Sequence, residues 1–184
     1  ALIRRDEDMN DKHIPLLIWW ALENKAVSDN SQVTKLLADK SLWRMPMMQT
    51  HLVKRIGQRF TAERTPANLL TAAQLLALAP TNADRYKLAI GMEEGLRGNA
   101  VQNPPKALLA ETVKLWKASP HTPMLISFAT RLGFPEAMDE AIALVKNPKT
   151  SASERRALTQ LLSERRSTSA SRLCAASARE RARG

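Results

Sequence analysis

This chain is short of the residues that most chemistry requires. There is one cysteine, Cys174, among 184 residues, which excludes an internal disulfide framework, a multi-cysteine zinc site and a C-x-x-C redox pair. Three histidines are present, His13, His51 and His121, and no two share a helical face at ligand spacing. The motifs H-E-x-x-H, G-x-S-x-G, the glycine-rich phosphate loops and C-x-x-C-H are all missing. Six glycines and ten prolines exclude collagen-like and linker-like chains. The longest apolar run, Ile14 to Leu22, is about half of the ~20 residues that a bilayer span needs. No signal-peptide pattern stands at Ala1, so any targeting segment is expected outside this sequence. Alternating β-type runs are absent as well.

What remains is helical patterning. With 44% hydrophobic and 25% charged residues, the composition is that of an ordinary globular domain. Pro15 opens a helix whose next residues, Leu16 to Leu22, are apolar all round, as in a helix buried on several sides. Acidic Asp6, Glu7, Asp8 and Asp11 precede it, and His13 reads as a capping or packing group. Ser31 is the expected cap of a second helix carrying Val33, Leu36 and Leu37. A third begins near Met45, with Met48, Leu52, Ile56 and Phe60 four residues apart. Thr65-Pro66 restarts the chain, with Leu69, Leu70, Ala73, Leu76 and Ala77 as the apolar stripe. Asn82 is the expected cap of a helix bearing Leu88, Ala89, Met92 and Leu96, stopped by Gly98. Pro104-Pro105 opens the next, with Leu108, Leu109, Thr112, Val113 and Trp116 inward. Thr122-Pro123 then starts a helix with Leu125, Phe128, Ala129 and Leu132 on one face, ended by Gly133. Pro135 starts its partner, carrying Met138, Ala141, Ile142 and Val145, and a last amphipathic segment spans 153–162.

Helix pairs therefore start near Met45, Asn82 and Thr122, close to the spacing of HEAT and armadillo units. The expected fold is all-α, an irregular HEAT-like α-solenoid over residues 1–164. A compact helical bundle is the alternative. Residues 165–184 are dominated by Arg, Ser and Ala, 15 of the 20 between them; they read as a low-complexity, disordered tail. A basic interaction arm, an altered reading frame and an arbitrary fragment end all fit that composition.

Half of the net charge of +10 falls in residues 150–184, so the helical body is only mildly basic. Four tryptophans stand against one tyrosine. Trp19, Trp20 and Trp116 occupy core-like positions, and Trp43 sits near a helix end where half-exposure is expected. The candidate interaction surface comprises Trp19, Trp20, Trp43, Lys54, Arg55 and Arg59, and Lys106, Lys114 and Lys117 form a second basic stripe. Ordinary solvated faces are the competing explanation for both stripes. Glu93 and Glu94, adjacent on a helix, are expected to diverge rather than share a proton. No catalytic, cofactor or metal residues are assigned.

The string His13-Ile14-Pro15-Leu16-Leu17-Ile18-Trp19-Trp20-Ala21-Leu22-Glu23, preceded by Arg4-Arg5-Asp6-Glu7-Asp8, resembles a known family. It is similar to the start of the HEAT-like helical region in large membrane-bound dehydrogenases of planctomycete and verrucomicrobial type. Those proteins join a glucose-dehydrogenase-like β-propeller to a helical region and a c-type cytochrome. Residues 2–25 carry the resemblance, and 26–164 agree in helical character alone. It implies a non-catalytic scaffold or spacer from an exported, periplasmic redox protein, with neighbouring domains or other proteins as partners. The family's haem ligands do not carry over, since Ala175 and Ala176 follow the single cysteine. The rival expectation is a nucleic-acid-binding HEAT-like protein, on the pattern of HEAT-like DNA glycosylases. A concave surface lined by Lys54, Arg55, Arg59, Lys114 and Lys117 would favour that rival.

Overall fold

Residues 2–165 are described by a computed structural model, and among them every regular element is a helix or a helical turn. Short turns at Leu2–Arg4 and Asp6–Asp8 lead into α1 (Ile14–Ser28) and α2 (Asn30–Leu37). After a turn at Leu42–Arg44 come α3 (Val53–Ala62), α4 (Pro66–Leu78), α5 (Asn82–Leu96) and α6 (Lys106–Ala118). The chain continues through α7 (Pro123–Arg131) and α8 (Pro135–Lys146) into α9, residues 152–165.

Caps set these boundaries. Thr65, Thr81 and Thr122 each accept a hydrogen bond from a backbone N–H in the first turn of α4, α5 and α7. The cap of α5 is thus Thr81, not Asn82, because the hydroxyl one residue earlier reaches Asp84 N at 3.1 Å. The same correction holds for α2. Asp29 rather than Ser31 is its cap, and its carboxylate takes both the backbone N–H and the hydroxyl of Ser31. Asp29 is also the single residue between two helices, its own N–H closing α1 on Lys25 O at 2.9 Å. His13 occupies the cap position of α1 without a side-chain bond; Asp11 Oδ1 accepts from His13 N and Ile14 N instead. Gly98 and Gly133 take φ of 76° and 78°, the left-handed stops that end α5 and α7.

The segment expected to begin a helix at Met45 does so at Pro46, then opens into a π turn over Met48–Leu52 before α3. Met48, Leu52, Ile56 and Phe60 are all buried. A strict four-residue repeat drifts by about 40° per step on an ideal α-helix, and one wide turn removes part of that drift.

The helices pack in two successions. α1 lies against α3, α3 against α5 and α5 against α7; α2 lies against α4 and α4 against α6. Neighbours in sequence join the two rows, as in α1–α2, α3–α4 and α5–α6, and α8 packs on α7. The contact of α3 with α5 is the most intimate. A methyl carbon placed on Gly91 would stand 1.8 Å from Lys54 O, and one on Gly57 would stand 2.3 Å from Leu88 O. The two backbones touch where glycine alone fits. Thr61 Oγ1 fastens the same seam by donating to Met92 O at 3.0 Å.

Several stripes are rotated from their expected positions. Leu70, Ala77 and Ile142 are exposed, while Ala72, Leu75, Leu115 and Ala137 take the buried places. Leu158 and Leu161 seat α9 on the body. Arg165, expected to begin the tail, is the last described residue, lies in α9 and donates to Val101 O at 2.6 Å. The rest of the tail expectation, and Cys174 with it, lies outside the described residues.

Candidate functional site

α1 is where the sequence placed its densest apolar signal, and only one side of that helix is covered. Pro15, Ile18 and Ala26 are buried, whereas Leu16, Leu17, Trp20 and Val27 are exposed, Trp20 by 55% and Val27 by 67%. At about 100° per residue, the buried set and the set Leu17, Trp20, Val27 centre roughly 160° apart. Beside Leu17 runs a groove of about 730 Å³, floored by Ile3, Ile18, Leu22, Leu36 and Leu42. Charges rim it. Arg4 is held by Asp39 at 2.7 Å and Arg5 by Asp8 at 3.0 Å, while Lys25 carries no salt bridge among the described residues.

The six residues expected to form one interaction surface do not do so. Trp43 is not half-exposed but fully buried, its Nε1–H donating to Leu37 O at 2.9 Å, because the chain reverses over it into the π turn. Trp20 is exposed, so of the two adjacent indoles it is the one that points away from the body. Trp19 is half-buried, with the Arg55 guanidinium 6.0 Å from its ring centroid. Lys54 pairs with Glu94 at 2.8 Å and Arg59 with Glu63 at 2.8 Å. On α6, Lys114 pairs with Glu111 at 2.6 Å, and Lys106 and Lys117 are exposed. Trp19, Trp20 and Arg55 therefore share one region, and the remaining cations are dispersed over α3 and α6.

Glu93 and Glu94 diverge as their adjacency requires, and Glu93 leads to an array that the sequence reading missed. Its carboxylate is buried, accepting from Ser127 Oγ at 2.9 Å and from Arg131 Nη1, with Arg97 3.3 Å from its other oxygen. Arg131, also buried, donates through Nε to Glu164 at 3.2 Å. One carboxylate from α5, one guanidinium from α7 and one carboxylate from α9 thus alternate in sign, binding these three helices together. Nothing in the pattern of α7 marked Arg131, which stands in its last turn beside apolar residues.

Of the histidines, His51 Nε2 lies 3.0 Å from Met9 O, and His121 stacks on Trp116 with centroids 3.8 Å apart while facing Glu140. These are contacts between elements. Among the described residues no three His, Cys, Asp or Glu side chains are grouped for a metal ion. Nor is any described helix long and apolar enough to cross a membrane.

Three carboxylates that accept backbone N–H groups are held below their ordinary range. Asp11 is lowered by the backbone N–H groups of His13 and Ile14, Asp29 by the Ser31 hydroxyl and then Gln32, and Asp39 by the Ser41 hydroxyl and then its N–H. All three belong to the segment that frames α1 and α2. Compared with protein-family models, curated proteins and solved structures, the chain shows no significant match.

Proposed function

We propose that this chain is a non-catalytic helical scaffold, an irregular HEAT-like α-solenoid that docks a neighbouring domain through α1. The observation that carries the reading is the uncovered apolar sector of Leu16, Leu17, Trp20 and Val27 on a helix whose opposite side is packed. A soluble surface rarely leaves large apolar side chains grouped in this way unless another surface covers them. The solenoid form draws its support from the two successions of helices, α1–α3–α5–α7 and α2–α4–α6, in which each helix meets its near neighbours in order. By the resemblance in residues 2–25, the neighbour is a propeller or cytochrome module of an exported dehydrogenase. Against nucleic acid as the partner stand the dispersal of the cations over α3 and α6 and the pairing of Lys54, Arg59 and Lys114, half of the six, with carboxylates.

A photo-crosslinking residue at position 20, expressed in the organism of origin, tests this. The expected result is a covalent product with one defined protein segment, absent when the same residue is placed at exposed Leu70 on α4. No product from position 20 would refute the scaffold reading.

A further inference from the structure

We infer that Trp116, His121 and Glu140 form a proton-operated clasp, which holds α8 to the end of α6 more firmly when the imidazole is charged. The clasp is independent of the scaffold reading and stands on its own geometry. Both ring nitrogens of His121 face oxygens that only accept: Glu140 Oε2 lies 2.7 Å from Nδ1, and Trp116 O lies 3.3 Å from Nε2. A neutral imidazole has a single N–H, so one of the two oxygens meets a lone pair; an imidazolium donates to both. The loop that carries the ring is anchored, since Thr122 caps α7 and bonds Tyr86 of α5. On the other side α8 lies against α7, with Ala137 and Ala141 buried, and Glu140 reaches from it to the loop.

Three features favour the cation at this place. Trp116 stands in the last turn of α6, where its carbonyl has no partner within the helix and shares the negative end of the helix dipole. The ring stacks on the indole of Trp116 at 3.8 Å between centroids and 29° between planes, and an indole face attracts positive charge. Glu140 supplies a full negative charge. The other charges on the neighbouring elements are engaged or exposed. Lys114 on α6 is held by Glu111, Lys87 on α5 by Gln49, and Arg131 at the far end of α7 by Glu93 and Glu164. Lys117 on α6 and Glu136, Asp139 and Lys146 on α8 are exposed, and among the described residues Glu140 alone is ion-paired with His121. Since the His121 and Glu140 side chains are 36% and 34% exposed, solvent screens the pair and the effect is modest.

Amide hydrogen exchange on the whole chain tests this, at about pH 5.5 and about pH 8, the span in which histidine ordinarily changes charge. Rates are corrected for intrinsic exchange at each pH. Protection of the Asp139, Ala141 and Ile142 amides should be about two- to threefold greater at the lower pH, with no such difference along α4. His121→Phe keeps a flat ring for Trp116 but takes up no proton, and should abolish the difference. Glu140→Gln keeps an accepting oxygen without the charge, and should bring it below about 1.5-fold. Both side chains are partly exposed, so neither substitution empties the core. Equal protection of α8 at the two pH values in the parent would overturn the inference. A difference that survives His121→Phe, or that α4 shares equally, would also overturn it by placing the titrating group elsewhere. A full difference in Glu140→Gln would overturn it as well, because the charge on α8 would then have no part in the clasp.

Discussion

Gly91→Ala is the substitution that most directly questions the packing of α3 on α5. The new methyl carbon would begin 1.8 Å from Lys54 O, 2.7 Å from Lys54 C and 3.0 Å from Gln58 N. A carbon and a carbonyl oxygen settle no closer than about 3.3 Å, so the helices must separate by roughly 1.5 Å. The obstacle is backbone, and no rotamer change removes it. Overpacking of this kind costs about 1–3 kcal/mol and occasionally more, whereas alanine in a helix interior returns about 1 kcal/mol over glycine. The displacement is large on this scale, so the net loss should be at least about 2 kcal/mol. With a urea slope near 2 kcal/mol per molar, the unfolding midpoint should fall by about 1 M. Gly98→Ala separates steric from conformational cost. Nothing lies within 4 Å of that position, yet its φ is 76°, so the loss there should be about 1–2 kcal/mol from strain alone. A Gly91→Ala chain as stable as the parent, or more stable, would show that the backbones do not touch.

Arg131→Met should lower stability by about 3–5 kcal/mol in urea unfolding, because it removes the buried guanidinium between Glu93 and Glu164 and leaves Glu93 with the exposed Arg97 alone. A loss below 1 kcal/mol would mean that solvent reaches the array. Trp43→Ala should cost about 3–5 kcal/mol, as for a large buried aromatic, while Trp20→Ala should stay within about 0.5 kcal/mol. Equal losses in the two variants would reverse the assignment of inward and outward indoles. The lowered titration of Asp11, Asp29 and Asp39 means that each stabilises the fold above the ordinary carboxylate range, and that this is lost as pH falls through the folded values. Thermal midpoints should therefore fall on acidification below about pH 4, and the fall should be shallower in an Asp11→Asn, Asp29→Asn double variant. An unchanged acid slope in that variant would remove the caps from the explanation.

Legibility in the sequence followed the physics of each signal. Thr65-Pro66 and Thr122-Pro123 identified helix starts because the cap hydroxyl and the fixed proline φ act locally. Ser31 and Asn82 missed by one or two residues because Asp29 and Thr81, better placed acceptors, stand just before them. Leu70 and Ile142 looked inward since periodicity gives a stripe's spacing but not its angle to the rest of the fold. The unbroken four-residue spacing from Met48 to Phe60 did contain a sign of the π turn, because an ideal helix cannot hold it on one side. Trp43 could not be placed from its neighbours, for its burial depends on a chain reversal. The Glu93–Arg131–Glu164 array spans three helices, and no local spacing encodes such a meeting. For α1, uniform apolarity announced burial on several sides; Trp20 and Leu17 are what that pattern looks like when one side is uncovered.

The single-residue join at Asp29 makes α1 and α2 behave as one bent lever. Its N–H closes the first helix and its carboxylate opens the second, so neither can rotate alone without breaking a cap. Just past the elbow, Asn30 donates to Thr71 Oγ1 on α4 at 3.1 Å. Asp29 and Asn30 thus give α1 a hydrogen-bonded link to α4 that is separate from the glycine seam between α3 and α5.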